Sequence, residues 1–126
     1  MPVLGIGGLF FRARDPEALT AWYSEQLGVG AGFGPEGTKT DDPWQWQTAA
    51  GPVVFAPFKE TTDYFAADKQ WMLNLRVTEL DALVAKLTAA GISVERRAEW
   101  DAPETGRFAR IHDPEGNAVE LWEPPR

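Results

Sequence analysis

The segment GRFARIHDPEGNAVELWEP, residues 106–124, decides the fold. Two stretches in which polar and apolar residues alternate flank DPEGN at 113–117, where Pro114 presets φ and Gly116 can take a positive φ. This pattern predicts a hairpin of two strands. Near the end of the second strand, Glu120 stands between apolar neighbours. A carboxylate there faces either water or a cavity, and in a cavity a partner must offset its desolvation.

Two strand–helix units with a common pattern precede this hairpin. In FFRARDPEALTAWYSEQLG, residues 10–28, Asp15 is a suitable N-cap, Pro16 suits the first helical position and Gly28 suits the stop. The pattern returns 64 residues later, where Arg76 matches Arg12 and Thr78 is the predicted cap of a second helix. Each half of the chain therefore reads as βαβββ. The predicted strands are 3–13, 44–48 and 53–58, then 71–77, 92–97, 107–112 and 117–123.

Composition narrows the classes of protein. A chain of 126 residues with 44% hydrophobic residues predicts one domain, residues 1–126, whose modules span about 1–60 and 68–126. A net charge of −7 argues against nucleic acid and anionic membranes as partners. The absence of cysteine excludes disulfides, thiolate metal sites and a cysteine nucleophile. The N-terminal apolar run lacks a basic segment and soon meets Arg12, which predicts no signal peptide, no membrane anchor and a cytoplasmic location.

Taken together, the two quoted motifs resemble the vicinal oxygen chelate superfamily of glyoxalases, extradiol dioxygenases, and fosfomycin- and bleomycin-resistance proteins. The resemblance implies an α+β fold in which two βαβββ modules form a cup-shaped mixed sheet, often completed in a homodimer. It also implies a divalent metal bound in the first and last strand of each module. Those positions are Gly8, Ala56, Met72 and Glu120, of which only Glu120 can bind such a metal. We therefore expect no metal and no other cofactor, with a divalent metal at Glu120 as the alternative.

The two-residue period of a strand assigns side chains to its two faces. Leu73, Leu75 and Val77 are predicted to pack under the helices, while the alternate set faces the cup. The predicted ligand-binding residues are Phe10, Arg12, Phe58, Met72, Asn74, Arg76, Glu120 and Trp122. In the alternative arrangement, Glu120 pairs with Arg12 or Arg76 and packed side chains close the cup.

Four functions are compatible with these residues. The first is a metal-free protein that binds or sequesters a small aromatic or polar compound, as the resemblance to bleomycin-resistance proteins implies. The second is a lyase or isomerase that uses Glu120 or His112, the only histidine, as a catalytic base. The third is a metal-dependent lyase or dioxygenase with Glu120 as a ligand. The fourth is an interaction or structural role with a filled cup, because a fold does not specify a function.

Overall fold

The computed structural model describes residues 2–126. Two α-helices, α1 and α2, and three strands, β1 to β3, form its regular elements, with short 3₁₀ turns at Pro35–Gly37 and Ala98–Trp100. In chain order the elements are α1 (Pro16–Leu27), β1 (Leu73–Arg76), α2 (Leu80–Ala89), β2 (Arg107–His112) and β3 (Ala118–Glu123). No helix among residues 2–126 is long and apolar enough to cross a membrane.

Helix α1 begins and ends at the predicted residues. The Asp15 carboxylate accepts a hydrogen bond from the Ala18 N–H at 3.1 Å, Pro16 takes the first helical position, and Gly28 follows the helix with φ 63°. A left-handed residue at this position favours glycine because glycine has no Cβ to clash. The predicted caps of α1 are confirmed.

Helix α2 begins differently from the prediction. Glu79, not Thr78, is its N-cap residue and adopts a left-handed conformation without a capping side chain of its own. The free N–H of Leu80 instead donates to the Glu123 carboxylate of β3, at 2.9 Å. The prediction of a Thr78 cap is wrong, because a residue distant in sequence supplies the acceptor that the helix N-terminus requires.

The three strands form one mixed sheet in the order β1–β3–β2, with β3 parallel to β1 and antiparallel to β2. One face of this sheet is apolar and packs under the two helices, as the two-residue period predicts. The largest side chains with essentially no exposure are Leu80, Leu87, Ile111, Val119 and Leu121. The opposite face presents Asn74, Glu120 and Arg110, which lie side by side across the sheet.

The turn of the β2–β3 hairpin is tied to α1. The buried Asp113 carboxylate accepts hydrogen bonds from the Tyr23 hydroxyl at 2.8 Å and from the backbone N–H of Asn117 at 3.0 Å. The Glu115 carboxylate accepts from the N–H groups of Arg14 and Asp15, at 2.6 and 3.0 Å. The two motifs quoted from the sequence therefore contact each other directly, through acceptors in the DPEGN turn.

The mixed α+β class is confirmed, but the strand predictions for the first half are wrong. Residues 3–13, 44–48 and 53–58 form no strand, and residues 92–97 are reduced to one bridge between Glu95 and Arg110. A strand requires a neighbour to accept its hydrogen bonds, and no backbone hydrogen bond joins residues 2–13 to the remainder of the described chain. Pro52, just before the segment 53–58, and Pro57, within it, also have no backbone N–H to donate to a neighbouring strand.

Candidate functional site

Glu120 is the buried carboxylate at the centre of the polar sheet face. It lies in the central strand β3, and its side chain is 7% exposed. The Asn74 amide of β1 donates to Oε1 at 2.8 Å, and the Tyr64 hydroxyl donates to Oε2. Two neutral donors therefore offset the desolvation of this carboxylate. The predicted pairing with Arg76 is wrong, and Arg12 does not pair with Glu120 either.

Tyr64 belongs to the segment 59–70, which has no regular structure except for short turns, and its hydroxyl contacts Glu120 of the sheet. Its ring lies 5.7 Å from the Phe58 ring and 6.2 Å from the Trp100 ring, centroid to centroid. Burial, and then the hydrogen bond to Glu120 and its negative charge, raise the pKa of Tyr64 to about 12. Tyr64 is therefore a hydrogen-bond donor throughout the neutral range.

Arg110 of β2 completes this group of side chains. Its guanidinium carbon lies 4.5 Å from the centre of the Tyr64 ring and 5.2 Å from that of Trp100, which are cation–π contacts. One terminal nitrogen lies 3.7 Å from the Met72 sulfur. Its Nε is buried without an acceptor, and within residues 2–126 no carboxylate forms an ion pair with Arg110.

A cavity of about 400 Å³ opens between the segment 62–71 and the ends of β2 and β3. Aromatic and charged side chains contribute most of its wall: Asp63, Tyr64, Phe65, Lys69, Trp71, Arg110 and His112. A neighbouring groove of about 670 Å³ shares Arg110 and His112 with this cavity, and its remaining wall includes Trp22 and residues 91–95. His112 ends β2 as an exposed residue at the meeting point of both spaces.

The predicted ligand-binding residues are only partly brought together. Met72, Asn74 and Glu120 lie around Arg110 and Tyr64, and Phe58 packs against the Tyr64 ring. The remaining four lie elsewhere: Phe10 and Arg12 are exposed on the N-terminal segment, Arg76 donates to the carbonyls of Ala49 and Pro52, and the Trp122 indole donates to the Thr105 carbonyl.

The sequence prediction missed two aromatic residues, Tyr64 and Trp100, that contact Arg110. Both lie outside the predicted strands, so no periodicity marks them. The one available signal was the pair of adjacent aromatic residues Tyr64 and Phe65 within an otherwise polar loop. Catalysis by Glu120 and His112 stays a prediction, and among the described residues no hydrogen bond joins the two side chains.

The residues at this site do not fit the divalent metal of the superfamily. Both Glu120 oxygens already accept hydrogen bonds from Tyr64 and Asn74, and a cationic guanidinium lies at the paired position of β2. Across residues 2–126, no group of three or more histidine, aspartate or glutamate side chains is arranged to hold a metal ion. A metal at this place would gain a single carboxylate ligand, whereas a divalent site typically requires about three protein ligands.

Comparison with known proteins places the chain in a family. A family model described as a glyoxalase-like domain matches residues 8–122. The chain belongs to the glyoxalase-like domain family. A search of curated proteins gave no match. The match to the family model confirms the resemblance to the vicinal oxygen chelate superfamily that the two motifs indicate.

Solved structures share the fold of this glyoxalase-like chain. TnmS3, an antibiotic binding protein from Streptomyces sp. CB03234, is 22% identical with a TM-score of 0.56, and the match covers 98% of each chain. An integron cassette protein from the mobile metagenome of the Halifax Harbour sewage outfall is 21% identical with a TM-score of 0.53, covering 94% of this chain and 99% of the other. At such identities these matches establish the fold alone.

Proposed function

We propose that this glyoxalase-like protein binds a small aromatic compound, without a metal, in the cavity between the segment 62–71 and the sheet. The observation that carries the proposal is the cavity wall, in which the Tyr64, Phe65 and Trp71 side chains meet a few charged groups. Small-molecule sites are typically lined by aromatic side chains with a small number of placed polar groups, and their volumes are about 300–1,000 Å³. The volume of about 400 Å³ lies within that range.

The hydrogen bonds of Glu120 support binding over chemistry that requires a free carboxylate. Both carboxylate oxygens are engaged, and the Tyr64 phenol stays protonated at neutral pH. The buried pair therefore positions Tyr64 as part of the cavity wall. TnmS3, which shares the fold, is an antibiotic binding protein, and we extend small-molecule binding to this chain on the strength of its own cavity.

Tryptophan fluorescence tests this proposal. Trp71 lines the cavity, whereas Trp44 is 80% exposed and does not line it. A panel of planar aromatic compounds without strong absorption near the emission band should contain members that change the emission saturably. The Trp71→Phe variant should lose most of that change, and the matched Trp44→Phe variant should keep it. Saturable binding with the same response in both variants would place the ligand outside this cavity, and no saturable response to any compound would contradict the proposal.

We further propose that two copies of the chain form a homodimer through the first module. The accessible surface is 9369 Å², whereas a compact chain of 13.9 kDa is expected to expose about 6,700 Å². Among residues 2–126, every exposed large hydrophobic side chain except Trp71 lies between residues 3 and 58. Strand β1 is also an edge strand of the sheet, and a segment from a second copy can add to this edge by backbone hydrogen bonds.

The oligomeric state is measurable by light scattering coupled to size-exclusion chromatography. The expected mass is twice that of the 13.9 kDa chain. Phe55, which is 86% exposed, is a suitable position for disruption, and Phe55→Asp should shift the protein toward the monomer. The control variant Thr61→Asp adds the same charge at an exposed polar position and should leave the dimer intact. A monomeric wild type at micromolar concentrations would contradict the dimer.

A further inference from the structure

We infer that the cavity selects a planar aromatic compound bearing a carboxylate-type anion, and that Arg110 binds this anion. The inference rests on the proposed small-molecule function and specifies the chemical class of its ligand. It concerns a residue in the third predicted strand of the second module, 107–112, in place of the two arginines, Arg12 and Arg76, that sequence periodicity assigned to the cup.

Arg110 has a glutamate as register partner on each side, Glu120 and Glu95, and forms an ion pair with neither. Glu120 is its register partner on the neighbouring strand, yet both Glu120 oxygens accept from neutral donors instead. Throughout residues 2–126, Arg110 forms no ion pair, and its Nε is buried without an acceptor. A half-buried guanidinium in this state gains more from a bound anion than an exposed one, because water screens the interaction less.

The surroundings of Arg110 hold its plane in a defined place. The rings of Tyr64 and Trp100 both contact the guanidinium, and the hydrogen bond from Tyr64 to Glu120 anchors the first of these rings. A guanidinium presents parallel N–H donors that match the two oxygens of a carboxylate. Since the aromatic contacts already restrict the side chain, less conformational entropy is lost when an anion binds.

The remainder of the wall favours the same class of ligand. Lys69 adds a second positive charge to the cavity, against one negative charge from Asp63. Among the charged side chains that line the cavity, two are therefore positive and one is negative, in a protein whose net charge is −7. Phe65 and Trp71 supply apolar surface for a planar ring next to these charges.

Three matched probes test the inference by calorimetric titration of the whole chain: naphthalene carboxylate, its neutral carboxamide and naphthylmethylammonium. The carboxylate should bind about tenfold more tightly than the carboxamide, and the ammonium compound more weakly still. Arg110→Gln should remove the preference for the carboxylate and leave the carboxamide affinity nearly unchanged. Arg96→Gln removes an equal charge from an arginine paired with Asp81 outside the cavity, and should keep the preference.

Each outcome is decisive. Equal or tighter binding of the carboxamide or the ammonium compound would overturn the anion preference and leave the small-molecule pocket standing. Failure of all three probes to bind would contradict the pocket for planar rings as well. A carboxylate preference that survives in Arg110→Gln would overturn the role of Arg110. If Arg110→Gln does not fold, as judged by circular dichroism, the wild-type series still decides the preference. Arg110→Lys, which keeps the charge without the paired donors, then tests the residue and should reduce the preference.

Discussion

The hydrogen bond between Tyr64 and Glu120 can be tested with the Tyr64→Phe variant. The substitution removes the hydroxyl alone and keeps the ring against Phe58 and Trp100. Hydrogen bonds to charged groups contribute about 1.5–3 kcal/mol. Because Tyr64 is only partly buried, water can replace its hydroxyl in part, and we expect the free energy of unfolding to fall by about 1–2 kcal/mol. Urea unfolding monitored by tryptophan fluorescence measures this change.

The same bond predicts how the stability depends on pH. Tyr64 donates only while protonated, and its folded-state pKa of about 12 lies above the ordinary value of 10.0. A raised folded-state pKa adds stability that is complete below pH 10 and is lost as the pH rises through about 12. The difference in unfolding free energy between wild type and Tyr64→Phe should therefore stay constant up to pH 10 and shrink above it.

Tyrosinate absorbance provides an independent assay, because the chain has two tyrosines. Burial and the hydrogen bond to Asp113 raise the pKa of Tyr23 as well, so neither residue should ionise near pH 10 in the folded protein. In Tyr23→Phe, the single absorbance step should lie near pH 12, with circular dichroism confirming that the fold persists. A full step at pH 10 in this folded variant, or equal stability of Tyr64→Phe and wild type, would refute the reasoning.

Four further predictions concern the core, the turn, the site and metals. Leu121→Ala leaves a cavity in the fully buried sheet face and should lower the free energy of unfolding by about 3–4 kcal/mol in urea titrations, whereas a loss below about 1 kcal/mol would contradict its place in the core. Asp113→Ala leaves the Tyr23 hydroxyl and the turn N–H groups without their acceptor, and thermal unfolding should show that the free energy of unfolding falls by about 2–3 kcal/mol. An unchanged stability would show that water replaces the carboxylate as acceptor. In Glu120→Gln, absorbance titration in the Tyr23→Phe background should lower the pKa of Tyr64 while leaving it above 10.0, since burial, the largest cause of the raised pKa, remains and the negative charge of Glu120 is gone. An unchanged titration would exclude a contribution from that charge. Chelation with EDTA followed by calorimetric titration of zinc, manganese and iron(II) should show no stoichiometric binding, and one tight site lost in Glu120→Gln would restore the metal-dependent alternative.

Glu120 contributes to the wall of the cavity through its hydrogen bonds. Its two oxygens accept hydrogen bonds from Tyr64 and Asn74. Tyr64 in turn supports the aromatic wall and the guanidinium of Arg110. Glu120 therefore supports the cavity wall through Tyr64.

Local patterns in the sequence were sufficient for several elements. The DPEGN hairpin, the caps of α1 and the division of the sheet into an apolar and a polar face follow from turn chemistry and from the two-residue period. Each of these depends on residues close together in the chain. The family resemblance was carried by the same two motifs, and the family match over residues 8–122 confirms it.

Tertiary structure alone decided the rest, because it depends on contacts between distant residues. The partners of Glu120 include Tyr64, which lies 56 positions away in a loop without periodicity. The aromatic contacts of Arg110 likewise join a strand to two irregular segments. The first-half segments have strand-like composition yet no strand, since a strand is stabilised by a neighbour that no local pattern specifies. Sequence periodicity therefore determined which way side chains point, and tertiary packing determined what they contact.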